Sequence, residues 1–394
     1  MYDLLVKNAR LYPMTEDASQ APASTFAVND GCIAALGVAA DSPAREVYDA
    51  GDRVVLPGFV DCHTHALYAG NRMAEHSQKL QGASYADIAR AGGGIQTTVR
   101  AVRAASAERL VAETLPRLEA LRAEGVTTVE IKSGYGLEAA QELKMLRAIR
   151  ELRTHLDMDI VATFLGAHSV PAGRSREDYF REVLEIMLPA VVEERLAESV
   201  DIFAESVAFT NEEVRQLFLQ ATKAGLGCRI HSDQLTHMGA TETAARLGAR
   251  SCDHLEHATE ADVLAMRGAG SVAVLLPGAF YFLRETHKPP VALLRQHRVP
   301  IAIATDLNPG TAPIASLLTV MHMAALLFDL TPAEVLMGVT CHAARALGRE
   351  RDIGSLSAGR HANFSVWDIP TPEFLLYQLG GVKPAAVFFK GKRL

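Results

Sequence analysis

The chain has 394 residues, too many for one small domain and suited to one barrel plus a smaller module. Hydrophobic residues make up 49% and charged residues 22%, the mix of an ordinary globular protein with a large core. A formal net charge of −7 with no run of like charges argues against nucleic acid as a partner, which would need a basic face or stripe.

Met1 to Lys7 lacks a basic segment followed by an apolar one, so no secretory signal is expected there. No membrane span is expected either: the longest apolar stretch, from Val272 to Phe282, is broken by Pro277 and Gly278. Five dispersed cysteines without a CxxC read as reduced thiols, hence a cytoplasmic location.

In chain order, residues 1–53 alternate apolar and polar positions (Leu4, Val6; Phe26, Val28; Ile33, Ala35). Asn29-Asp30-Gly31 supplies the turn of a hairpin. Eight short apolar runs follow: Val54–Asp61, Thr127–Lys132, Ile160–Leu165, Val200–Ala204, Gly227–Ile230, Arg250–Cys252, Ser271–Leu276 and Pro300–Ala304. Several are continuous rather than alternating, as in strands buried on both faces. Amphipathic helices are predicted between them, at Ala107–Glu124, Leu143–Leu152, Val183–Leu196 and Val214–Ala224. From about residue 352 the alternating pattern returns, in Asn363–Trp367 and Ala386–Phe389. The expected fold is α/β, a (β/α)8 TIM barrel over residues 56–349. A small β-sandwich domain is expected from both termini, 1–55 plus 350–394. A doubly wound open sheet is the alternative. Gly92-Gly93-Gly94 lacks the strand–helix context of a phosphate loop and reads as a flexible turn or lid hinge.

Polar residues follow the predicted strand ends one after another: His63 and His65, then Lys132 and Tyr135, His168, Glu205, His231, His254 and Asp306. A parallel barrel carries all such ends to one mouth. In Asp61-Cys62-His63-Thr64-His65 the two imidazoles, at i and i+2 of an extended chain, point the same way and can reach one cation. With a third His at a strand end and the Asp306 carboxylate, the set suits one divalent metal, Zn2+ or Fe2+, with Mn2+ fitting less well. Such a cation lowers the pKa of water toward about 7. Asp306 reads otherwise as an Asx turn before Pro309.

His254 is placed to orient water or polarise a carbonyl, or else it is a core histidine. His257, three residues on, reads as a surface residue at a helix start. Arg72, just past the HxH, suits a clamp on a substrate carboxylate, the plainer reading being a surface ion pair. Tyr85 and Tyr135 are candidate hydrogen-bond donors. Lys132 is expected to pair with Glu130 or Glu205.

The strings LPGFVDCHTH, AGNR, GGGI, EIKSGYGL, FLGAHSVP, HSDQL, DHLEH, LLPGAFYFLRE and ATDLNPGT, spanning about Leu56 to Thr311, resemble the imidazolonepropionase family of the amidohydrolase superfamily. The segment GSLSAGRHANFSVWD resembles that superfamily's small β-domain. The resemblance implies one metal held by His63, His65, His231 and Asp306, and His254 as the catalytic histidine. It implies substrate contacts from Arg72, Tyr85, Tyr135, His168, Gln234 and Thr311, with Asn308 and Gly310 at the glutamate end of the product. The implied reaction opens the ring amide of 4-imidazolone-5-propanoate with water, giving N-formimidoyl-L-glutamate in the third step of histidine breakdown. A homodimer is implied too. Gln234 stands where some relatives carry Glu, and an amide cannot shuttle a proton. Proton traffic would then fall on Asp306, His254 or water. The rival readings are a deaminase or hydrolase of another small N-heterocycle, and an inactive barrel that senses a ligand.

Overall fold

A computed structural model of the chain describes residues 1–15, 23–82 and 93–394. Tyr85 and Gly92 lie outside the described residues. Two sheets organise everything else. The first is built from both ends of the chain: β1 (Tyr2–Leu11), β2 (Phe26–Asn29), β3 (Cys32–Leu36) and β4 (Ala44–Pro57). The second takes the next eight strands, β5 (Phe59–Asp61), β6 (Val126–Lys132), β7 (Asp159–Ala167), β8 (Ser199–Ala204), β9 (Gly227–Ser232), β10 (Ser251–His254), β11 (Val272–Leu275) and β12 (Ile301–Ile303). The chain then returns to the first sheet with β13 (Phe364–Trp367), β14 (Ala386–Phe389) and β15 (Lys392–Arg393).

The terminal sheet is mixed, in the order β15-β14-β13-β4-β1-β2-β3. The Asn29–Cys32 hairpin forms as expected. Asp30 and Gly31 both take positive φ (49° and 73°), the backbone that a two-residue turn with matching twist requires. Aromatic rings from the two ends interlock: Phe26 meets Phe364 edge-on at 5.1 Å, and Phe364 stacks on Phe388 at 4.2 Å. Burying each such ring contributes about 1.5–3 kcal/mol.

The eight-stranded sheet is parallel and ordered by sequence, with helices between successive strands, as expected of a (β/α)8 barrel. Helix Ala107–Arg122 shows why the intervening segments pack outside it: Leu110, Val111, Leu118 and Leu121 share one buried stripe. Among the described residues, no helix is long and apolar enough to cross a membrane.

The barrel's seam lies between β5 and β12. It closes just past the strand ends, where Asp306 N–H donates to His63 O and His65 N–H donates to Leu307 O, each at 3.0 Å. Beneath them the Asp61 carboxylate accepts from Thr305 N at 3.0 Å and Thr305 Oγ1 at 2.6 Å.

One expected strand is two. Val54–Asp61 splits at Gly58: β4 ends at Pro57 in the terminal sheet and β5 begins at Phe59 in the barrel. Gly58 N–H donates to Asn363 O, so the crossing point is tied to the returning C-terminal segment. A Cβ there would sit 2.2 Å from Thr127 Oγ1 on β6. Gly58→Ala is therefore expected to cost about 1–3 kcal/mol of stability by overpacking. Denaturant unfolding checks this, with Thr127→Ala recovering part of the loss; simple addition of the two costs would show that the contact does not matter.

Candidate metal centre and ligand cleft

Several strand ends place polar groups together over the barrel mouth. His63, His65 and His231 present ring nitrogens within 4.8 Å of one another, and all three residues are buried. His231 Nε2 lies 3.4 Å from His65 Nε2. Asp306 Oδ1 lies 3.5 Å from His63 Nε2 and 3.4 Å from His65 Nε2. Four side chains from β5, β9 and the turn after β12 thus converge on one point. A second group, Asp233, His237 and Asp262, also clusters, but its carboxylates are occupied by hydrogen bonds to Thr241, Met238, Glu242 and Thr259.

Burial holds His63 and His65 well below the ordinary imidazole pKa, and the neighbouring Lys132 and histidines push the same way. Neutral rings are what a cation needs as ligands. Two carboxylates fix which ring nitrogen is bare. Asp253 Oδ2 lies 2.6 Å from His63 Nδ1, and Asp201 Oδ1 lies 3.0 Å from His231 Nδ1. With Nδ1 bearing the proton, Nε2 faces inward with its lone pair. His63 Nε2 is buried and has no hydrogen-bond partner. Burial pushes the Asp306 carboxyl well above the usual range, as expected of an acid set among neutral rings, and a divalent cation would restore its charge. The unpartnered nitrogen, the neutral rings and the carboxylate together fit a divalent cation.

Around this point stand the other expected residues. His254 ends β10, with its ring 5.9 Å from that of His63 and 5.4 Å from that of His231. Its φ is 80° and that of Leu255 is 73°. Two successive bulky residues in left-handed backbone cost about 1–3 kcal/mol each, a strain that turns the chain sharply and sets His254 over the cluster. Burial keeps His254 neutral as well. His168 stacks on His65 at 5.1 Å, and its Nδ1 lies 2.9 Å from Gly134 O. Burial lowers its pKa to about 4. The Tyr135 ring sits 5.8 Å from His65 and 5.4 Å from His168, and burial raises its hydroxyl pKa.

Arg72 lines a cleft of about 340 Å³ with Tyr68, Glu75, Phe282 and Gly310. Its Nε donates to Glu75 at 2.8 Å, and Glu75 is itself fixed by Thr97 Oγ1 and Gly94 N–H. The ion pair expected as the plain reading is real, yet the arginine is mostly buried, with 13% of its side chain exposed. A Cβ on Gly310 would fall 2.0 Å from Arg72 Nη1, so the guanidinium lies directly against that glycine. Asn308 folds this loop: its Oδ1 accepts from Gly310 N (2.8 Å) and Thr311 N (2.7 Å), and its Nδ2 donates to Asp306 O (2.7 Å) and Thr311 Oγ1 (2.8 Å). The Asx turn expected of Asp306 belongs to Asn308.

Other expectations change. Lys132 pairs with Glu130 (2.8 Å), one of the two partners expected of it, and adds Asp201 (2.9 Å), which was not expected, in place of Glu205. Glu205 instead accepts from Gln234 N, Leu235 N and Thr236 Oγ1 at 2.7–2.9 Å, holding the loop that carries half-buried Gln234. His257 starts no helix: the next one spans Glu260–Ala269, and the His257 ring stacks on His287 at 4.5 Å. Sequence reasoning missed Asp201, Asp253 and Arg229, all buried. Their signal was present, since each is a charged residue inside an otherwise apolar strand, where burial demands a partner.

This is the architecture of a (β/α)8-barrel hydrolase, and the chain belongs to the amidohydrolase family, whose profile matches residues 54–394. Within that family it belongs with the imidazolonepropionases. It is 50% identical to the imidazolonepropionase of Methylobacterium nodulans over 96% of each chain, and equally so to that of Xanthomonas campestris pv. campestris. Solved structures of the same fold include a triazine hydrolase variant (TM-score 0.75, 16% identity, covering 100% of this chain and 95% of that one). Another is a 5-methylcytosine deaminase from Klebsiella pneumoniae (TM-score 0.73, 19% identity, covering 99% and 97%).

Asp253→Asn keeps the shape beside His63 but removes the charge that fixes its Nδ1–H. Retention of a divalent cation is expected to weaken about 10–100-fold. Competition with a chromogenic chelator reads this directly, and unchanged affinity would show that His63 needs no such support.

Proposed function

We propose that this chain hydrolyses the ring amide of 4-imidazolone-5-propanoate to N-formimidoyl-L-glutamate, the third step of histidine degradation. The observation that carries the reading is a mostly buried arginine seated against Gly310, on the loop that follows Asp306, together with a cluster of three imidazoles and one carboxylate. An anionic tail and a scissile ring amide are the two features such a site needs its substrate to have. The 50% identity to imidazolonepropionases over nearly the whole chain supports the same assignment.

His63, His65, His231 and Asp306 would hold one divalent metal, Zn2+ or Fe2+. When bound, such a cation supplies Lewis acidity, lowering the pKa of water toward about 7 and polarising a carbonyl. The chain's own groups do the rest. Arg72 binds the propanoate bidentately, its Nε already held by Glu75. Asn308 and Gly310 act through the loop that seats Arg72, and Thr311 closes that loop. Tyr135 and His168, packed together over His65, hold the ring in register, and Gln234 donates or accepts at its edge without moving a proton. A substrate contact from Tyr85 is part of the same reading on the family resemblance alone.

Water adds to the ring carbonyl carbon, and Asp306 takes its proton. His254, neutral in its buried setting, steadies the oxygen as charge develops there. The carbon–nitrogen bond then breaks, and the departing nitrogen receives the proton that Asp306 or His254 relays. A Gln at position 234 cannot perform that relay, which disfavours a deaminase, whose leaving ammonia needs one.

The reading also takes the division of the chain to be 1–55 plus 350–394 and 56–349. It places the protein in the cytoplasm, consistent with five free cysteines, and takes it to be a homodimer. Ultraviolet decay of freshly made imidazolonepropionate tests the activity. Decay that a chelator abolishes and added metal restores is expected; no chelator-sensitive decay would sink the proposal. Arg72→Ala is expected to raise KM by roughly 10- to 150-fold, the worth of about 1.5–3 kcal/mol for hydrogen bonds to a charge, with metal content unchanged. Gly310→Ala should do likewise by displacing the guanidinium. An unaltered KM in both variants would remove the clamp.

A further inference from the structure

Below the imidazole cluster the barrel interior holds five charged side chains, Glu130, Lys132, Asp201, Arg229 and Asp253, all with 0% exposure. They form one unbroken path. His231 Nδ1 meets Asp201 Oδ1 at 3.0 Å, and Asp201 Oδ2 meets Lys132 Nζ at 2.9 Å. Lys132 Nζ donates to Glu130 Oε1 at 2.8 Å, and that same oxygen lies 3.5 Å from Arg229 Nη1. Arg229 Nη2 reaches Asp253 Oδ2 at 3.3 Å and Cys62 O at 2.6 Å, and Asp253 Oδ2 lies 2.6 Å from His63 Nδ1. The path begins on one imidazole of the cluster and ends on another.

Glu130 also fixes the segment between the paired histidines. Its Oε2 accepts from Thr64 N at 3.1 Å, its backbone oxygen accepts from Thr64 Oγ1 at 2.6 Å, and Lys132 N donates to Thr64 O at 3.0 Å. Four strands, β6, β8, β9 and β10, and both sides of the cluster are thus tied through two cations that touch no solvent.

We infer that Lys132 is a positioning residue for the metal centre: by bridging Glu130 and Asp201 it fixes the orientation and proton placement of the His231 ring, and with Arg229 holds that ring in register with His63. This rests on the metal-dependent reading above. An ammonium flanked by two carboxylates and buried with them is costly to assemble, and two well-packed apolar residues would fill the space as well. What such residues could not do is aim a carboxylate oxygen at His231 Nδ1. Burial and Arg229 push the Lys132 pKa down, but Asp201, Glu130 and Asp253 outweigh them, so the ammonium stays charged.

Two variants test this: Lys132→Met, and Lys132→Met with Glu130→Gln, which removes one of the two carboxylate charges left without the ammonium should the single change fail to fold. Cobalt(II) titration of the metal-free protein, followed by chelator competition and by the visible absorption of bound cobalt, is the readout. The expected result is a 10–100-fold loss of cobalt affinity in whichever variant folds, with an altered cobalt spectrum, because the His231 ring is no longer held. Melting curves run in parallel show whether the fold persists. Wild-type affinity and an unchanged spectrum in the folded double variant would overturn the inference and reduce Lys132 to a packing residue. Failure of the wild-type protein to bind cobalt would overturn the metal reading and this inference together.

Discussion

The seam of the barrel is the constraint on which the rest turns. An eight-stranded parallel sheet must close on itself, and here the closing backbone hydrogen bonds come from the same residues that present the side chains. His63 and His65 stand on one lip and Asp306 on the other, joined through His63 O and Leu307 O. Asp61 and Thr305 pin the lips from below. Closure and site assembly are therefore one event, and neither can drift without the other. The left-handed backbone of Asp306, at φ 52°, is the local cost of aiming a carboxylate back across that junction.

Much of this was legible in the sequence because it depends on period and position. Continuous apolar runs separated by helical stripes specify buried parallel strands, and parallel strands specify a shared mouth. The convergence of His63, His65, His231 and Asp306 follows once those two facts are granted. The place of Arg72 could be read only as a choice between a clamp and an ion pair. Both hold, since Glu75 grips one edge of the guanidinium while the rest lies against Gly310.

What could not be read depends on distances between strands. Which carboxylate Lys132 would meet is a matter of stagger across β6 and β8, and spacing along one chain does not encode it. Glu205 was plausible by sequence position, yet it lies just past the end of β8, beyond Asp201, and supports the Gln234 loop instead. The division of Val54–Asp61 into strands of two different sheets was hidden for a similar reason. The run is apolar on both sides of Gly58, and only the approach of Thr127 shows why a glycine must mark the change. Asn308 illustrates a third limit: a side chain expected to face a ligand is wholly engaged in shaping its own loop.

The terminal sheet carries a consequence for how the molecule comes into being. β4, emerging early from the ribosome, has β1 on one side, and its other side is completed by β13, with Phe364 paired to Pro57. The entire barrel lies between those partners in the chain. During synthesis the β4 edge therefore waits, unpaired, until the whole barrel has been added, while Phe26 lacks the ring of Phe364 that covers it. An open strand edge beside bare aromatic surface invites pairing with a neighbouring nascent chain. Polysomes making this protein would carry that hazard at each ribosome, and the interval before the tail arrives is when a chaperone has most to shield.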